Sequence, residues 1–318
     1  MRRVRVCALW SAVFCWGLFL GFPDRAGAHG RVGKRSFIEP FVTEDANPKD
    51  EFVLAKPFRV DRPGGSDFTL GFSFEKRLST STSIGLEAAW LDLGESDEEG
   101  AASDAGLAAH SGTGASGAAG GSGFSNLGLR FKYAPIRDAE RETVLSFALE
   151  MEVPTGDEDV GSESHVVLEP ALLLARGFGD LPEGFWFLRP LALMGDLTLE
   201  VPVSRREERD TLGYDVLFLY SLPYLREVGE VPVPVPLDRL LPVAEFHFET
   251  DLQGAGRGTE ARTTLGLVYL DRFLELGVGV QLPLDETARD EFDWAFVGIV
   301  DLFYDDVLPG IGDWLPFE

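Results

Sequence analysis

The sequence predicts an all-β chain, an antiparallel transmembrane β-barrel of about twelve strands. Three observations carry that prediction. Large apolar residues recur at every second position in segment after segment. No apolar run beyond the N-terminus is long enough for a membrane helix. The connections between the alternating segments tend to switch between long and short.

The alternation is plainest in ETVLSFALEMEVPTG, residues 142–156. Leu145, Phe147, Leu149, Met151 and Val153 share one side, and Ser146, Ala148, Glu150 and Glu152 share the other. A strand turns successive side chains to opposite faces, so one side is dry and the other wet. The pattern returns in Phe68, Leu70, Phe72 and Phe74, in Leu127, Leu129, Phe131 and Tyr133, and in Leu274, Leu276, Val278, Val280 and Leu282. Strands are expected over 53–60, 67–78, 83–93, 124–134, 143–153, 165–176, 185–200, 211–222, 240–251, 262–271, 273–283 and 292–304. No amphipathic helix is expected beyond the N-terminus, because the 3.6-residue period is missing and Gly and Pro interrupt most windows.

The N-terminus is of another kind. Arg2, Arg3 and Arg5 precede an apolar run of 17 residues from Val6 to Phe22, followed by Pro23 and the small residues Ala26 and Ala28. This is the grammar of a secretory signal peptide over 1–28, with His29 opening the mature chain. A membrane anchor fits less well, since the run is short and a small-residue site follows it. Both cysteines, Cys7 and Cys15, lie in that segment, so the mature chain has no disulfide. A domain over 29–318 is large enough to fold without one.

Charge narrows the partners. The chain holds 28 basic and 53 acidic residues, a net charge of −25, and loss of residues 1–28 removes four Arg and one Asp. Nucleic acid is excluded by repulsion.

Short connections are expected at 78–83, 134–141 and 177–184, and longer or acidic ones at 94–123, 154–164, 203–210, 253–260 and 285–293. The 226–238 stretch, with its VPVPVP spacer, and the turn of modest length after residue 60 break the order. Segment 94–123 carries nine Gly, eight Ala and five Ser and lacks apolar anchors, so a long external loop is expected there, with residues 29–52 as an N-terminal segment of the barrel domain.

The wet face is rich in Gly, Ala, Ser and acidic groups and poor in Lys, which suits a confined lumen better than the outside of a soluble sandwich. Candidate lumen-lining residues are Arg130, Lys132, Glu150, Glu152, Glu169, Glu245, His247, Glu249 and Glu275. The whole wet face counts fifteen acids against Arg77, Arg130, Lys132 and Arg262, which predicts cation preference if the lumen conducts. Tyr133, Tyr214, Tyr220, Tyr269, Trp294 and Tyr304 fall near strand ends, where interfacial aromatics belong.

The N-terminal signal resembles those of exported Gram-negative proteins. The stretches FTLGFSFEKRLSTSTSIGLEAAW, NLGLRFKYAP, FALEMEVPTGDED and LEPALLLARGFGD resemble a family of bacterial outer-membrane transporters, one branch of which is associated with the meta-pathway of phenol degradation. The likeness runs over about 67–300. It implies outer-membrane location and hydrophobic or aromatic solutes. One departure is that Phe317 is penultimate, before Glu318, where many outer-membrane barrels end in an aromatic residue.

Catalytic signals are missing: there is no GxSxG, HExxH, P-loop or dinucleotide fingerprint, and no enzyme and no cofactor are expected. DEDVGSE (157–163) has the wrong spacing for a calcium loop. Glu245, His247 and Glu249 share one face, and adjacent pairs could chelate a cation, but no second His joins them and no metal is expected. His29 and Gly30 resemble the start of exported copper monooxygenases at those two residues alone. The function expected is passive passage or uptake of small solutes. Its partners would be outer-membrane lipid and lipopolysaccharide, the barrel-assembly machinery and a small solute. The alternative is a soluble periplasmic or secreted β-protein that binds a ligand or surface.

Overall fold

The computed structural model describes residues 31–62, 65–94, 121–160, 162, 164–203, 210–252 and 258–307. The expected signal peptide, His29, most of the 94–123 loop and Phe317 lie outside these residues.

Twelve strands form the wall: β1 Glu51–Arg62, β2 Gly65–Ser79, β3 Thr82–Leu93, β4 Leu127–Asp138, β5 Thr143–Val153, β6 Val167–Gly177, β7 Leu191–Pro202, β8 Thr211–Tyr220, β9 Leu240–Asp251, β10 Thr259–Leu270, β11 Leu274–Pro283 and β12 Trp294–Leu302. A four-residue strand, Gly121–Phe124, extends the partner of β3 ahead of β4. Each strand pairs antiparallel with its neighbours in sequence. Pairing of β12 with β1, from Trp294 opposite Asp61 to Leu302 opposite Phe52, closes the ring. Closure matters because an open edge in hydrocarbon would leave backbone groups without partners.

The dry side faces outward. Phe74, Ile84, Leu86, Phe131, Phe147, Leu149, Leu265, Val278, Val280 and Phe296 are all exposed large apolar residues on the outer wall. A water-soluble surface does not carry a continuous apolar band of that extent, whereas a transmembrane barrel requires one. Trp294 is exposed at a strand end, as the girdle reading expects, whereas Tyr133 is exposed in the middle of β4, which runs on to Asp138, and Tyr304 stacks on Phe74 with ring centroids 5.3 Å apart.

Three local expectations need correction. The strand expected over 185–200 begins at Leu191, and Glu183–Leu188 forms a 3-10 helix whose Phe185, Trp186 and Phe187 are half exposed. That stretch is apolar without alternation, so no strand period supported it. Short α-helices are also present: α1 Leu222–Glu227, α2 Glu286–Glu291 and α3 Tyr304–Val307. Each is too short to show a helical period. Caps mark two of them, with Ser221 accepting from the Tyr224 N–H and Asp285 accepting from the Ala288 N–H. Lastly, the end of the barrel holding the expected short turns also carries 178–190 and 221–239, so loop length sorts less cleanly than the sequence implied.

Candidate functional site

The lumen is occupied by the chain's own N-terminal segment. Residues 31–36 form a small hairpin at the turn end, and residues 37–50 then run inside the barrel before β1 begins. Phe37, Ile38, Phe41, Thr43, Asp45, Ala46, Asn47, Lys49 and Asp50 are buried.

Inward-facing side chains change character along the strands, and the segment matches the change. Near the turn end the inner wall of β5 to β10 is apolar: Val144, Leu173, Met194, Leu217, Leu219, Leu241, Val243 and Val268 are buried and form one cluster with Phe37, Ile38 and Phe41. Two wall glycines make room for the last of these. A β-carbon at Gly266 would overlap the Phe41 ring, and one at Gly277 would lie 2.9 Å from it.

Further along β7 and β9, and on β2 and β11, the inner face is charged, and its carboxylates receive the segment's backbone. Glu245 Oε1 accepts the Phe41 N–H at 2.8 Å, and Glu245 Oε2 accepts the Val42 and Thr43 N–H groups at 2.9 and 3.1 Å and the Thr43 hydroxyl at 3.2 Å. Asp196 accepts the Glu44 N–H at 2.8 Å, Glu75 the Lys49 N–H at 3.0 Å, and Glu275 the Glu39 N–H at 3.1 Å. On the β5 side the Ser146 hydroxyl donates to the Ala46 carbonyl. A segment without secondary structure has many backbone donors to satisfy, and the wall acids satisfy them.

Ion pairs complete the seat. Arg130 bridges Glu44 of the segment to Glu87 of β3, both at 2.7 Å, and also pairs with Glu150. Lys132 pairs with Glu75 at 3.0 Å. Lys49 reaches Asp45 at 2.9 Å, Glu51 at 2.8 Å and Glu39 at 3.5 Å, and Lys56 reaches Glu39 at 3.3 Å. Burial opposes the Lys49 charge, but Asp45, Glu51, Glu39 and Asp301 outweigh it and hold its pKa well above the ordinary lysine value. For Glu39 burial again works against ionisation. Lys56, Lys49 and Lys132 prevail and bring its pKa down to about 2.

The residues singled out from sequence fall as follows. Lys132, Glu150, Glu152, Glu169, Glu245, His247 and Glu275 are buried against the interior, Arg130 sits among three carboxylates there, and Glu249 is half-buried near the loop end. His247 is engaged on both ring nitrogens, with Asp215 Oδ2 at 2.9 Å from Nδ1 and Thr264 Oγ1 at 3.1 Å from Nε2. Asp293, one of the fifteen acids expected on the wet face because it falls at the start of the 292–304 strand, is instead exposed in the turn before β12. Glu39, Phe41, Glu44, Lys49 and Lys56 were not foreseen. Above the segment remains a cavity of about 70 Å³, bordered by Phe41, Glu44, Lys56, Phe58, Glu87 and Arg130.

No family model matches the sequence, and no curated protein matches it. Solved structures with a similar fold include the NanC porin, at 8% identity over 78% of this chain and 98% of that one, with a TM-score of 0.48. The KdgM porin follows at 10% identity, 78% and 97% coverage and a TM-score of 0.42. Outer membrane phospholipase A from Escherichia coli follows at 12% identity, 88% and 98% coverage and a TM-score of 0.39. Likenesses at these scores carry no argument about what crosses the barrel.

Proposed function

We propose that this chain is an outer-membrane barrel for small solutes, and that residues 37–50 set the width and chemistry of its lumen from within. The observation that carries the proposal is the seating of those residues on inward carboxylates of a closed barrel whose outer face is apolar. The outward band disfavours the alternative of a soluble secreted β-protein. In this reading the turn end is periplasmic and the loop end external, and the chain meets lipid, lipopolysaccharide and the barrel-assembly machinery on its way to the membrane. Export would begin with removal of residues 1–28.

The inner segment implies a narrow path. Small cations are favoured over anions, because wall acids outnumber wall bases and the segment's own Glu39, Glu44, Asp45 and Asp50 outnumber Lys49. The resemblance noted from the sequence extends the proposal to small aromatic solutes. A liposome-swelling series over solutes of graded size and charge tests it. The expected result is slow entry with a low size cutoff in the intact protein and faster entry in Glu245→Ala, which unseats the segment. Absence of flux in both proteins would overturn the channel reading.

A further inference from the structure

A second cavity, of about 160 Å³, lies at the turn end between the N-terminal hairpin and the barrel rim, and its charge is opposite to that of the chain. Its border includes Arg31 and Lys34 from the hairpin and Arg226, Arg239 and Arg272 from the rim. Three acids, Glu227, Asp238 and Asp271, also border it. Asp306, which pairs with Arg272 from beside the cavity, brings the acids to four, so five cations leave an excess of one positive charge, in a protein whose net charge is −25.

We propose that this cavity binds a phosphate group and that the bound anion fastens the hairpin to the rim. Several cations are already partly paired: Arg31 with Glu227 at 3.4 Å, Arg226 with Asp238 and with Glu227 at 3.4 Å, Arg239 with Asp271 and the Tyr269 hydroxyl, and Arg272 with Asp306 at 3.3 Å. A guanidinium has five N–H donors, so one or two such contacts leave others for a further oxyanion. Lys34 is exposed and forms no ion pair among the described residues. The four arginine side chains keep between 30% and 43% of their surface open, so a ligand can reach them from solvent. The cavity exceeds the room needed for a few waters and suits a compact tetrahedral anion. The cations come from two separate parts of the chain, so an anion bound among all of them would hold hairpin and rim together. The inference stands whether or not the barrel conducts.

The test uses the whole barrel and reads hydrogen exchange over residues 31–36. One arm titrates inorganic phosphate into protein in a zwitterionic detergent, against chloride at matched ionic strength. The other places the barrel in phosphatidylcholine nanodiscs with or without phosphatidylglycerol, without free phosphate. At ten times the dissociation constant, opening of the hairpin should be suppressed by about tenfold. Protection in the first arm assigns a free phosphate, and protection in the second alone assigns a lipid headgroup. Lys34→Gln, which disturbs no internal pair, should weaken the effect, and Lys34→Gln with Arg272→Gln should abolish it. Equal exchange in all conditions, or undiminished protection in the double variant, would overturn the proposal.

Discussion

The inner wall has two zones that treat the same N-terminal segment differently. Near the turn end, Leu173, Met194, Leu217, Leu219 and Leu241 bury Phe37 and Ile38 as an ordinary core would. On the charged part of the wall, Glu245, Asp196 and Glu75 take up backbone N–H groups instead. The apolar zone gives affinity without direction. The polar zone fixes register, because a carboxylate accepts only those N–H groups that point at its oxygens from hydrogen-bond distance. Together they hold an irregular peptide in one position, and neither zone alone would do so.

Truncating Phe37 to Ala should produce the largest effect, about 3–5 kcal/mol in the stability of the seated segment, since the side chain is buried against the apolar zone and leaves a cavity. Glu245→Ala acts on the other zone. It strips four hydrogen bonds from residues 41–43 and should cost about 2–4 kcal/mol, read as faster exchange of those amides while the wall strands stay protected. If exchange at 41–43 is unchanged, the polar zone does not hold the segment.

On the outside, Phe147→Arg should cost about 2–4 kcal/mol in barrel stability in lipid, because it puts a charge on the apolar band. An insensitive Phe147 would mean that the band does not meet hydrocarbon. A smaller effect is expected from Gly266→Ala, about 1–3 kcal/mol, from overlap with the Phe41 ring. Adding Phe41→Ala should restore the loss in part, and strictly additive losses would show that the two do not touch.

The seat should also show a pH dependence. Glu39 has a pKa lowered from 4.5 to about 2 in the seated segment. Its contribution is therefore fully present above pH 4.5 and fades as the pH falls toward 2. The stability difference between the protein and Glu39→Gln should shrink over that window, and a difference that is constant with pH would contradict the pairing with Lys56 and Lys49.

Much of the wall was legible in the sequence, because a barrel repeats one simple rule. Leu145 to Val153 alternate, and each outward residue there is apolar for the same reason. The occupied lumen was not read, although a signal was present. In ALLLA (171–175) and VLFLY (216–220) consecutive residues are apolar, so both faces of those strands are dry. One dry face meets lipid, and the other requires an apolar partner inside. Leu173, Leu217 and Leu219 find it in Phe37 and Ile38. Residues 37–50 themselves have no period, so pattern reading left them as an unassigned N-terminal segment. Glu245 was selected for its row with His247 and Glu249, yet it acts as an acceptor for backbone N–H groups, a role with no sequence motif.

The central claim is that residues 37–50 occupy the lumen, and thiol accessibility tests it most directly. A chain beginning at His29 has no cysteine, so single cysteines can be placed at will. Thr43→Cys puts a thiol on the buried segment, and Glu140→Cys puts one on an exposed turn. In reconstituted barrels, a water-soluble maleimide should react with the first about 100-fold more slowly than with the second, the equivalent of about 2.8 kcal/mol for opening the seat. Equal rates at the two positions would contradict the account.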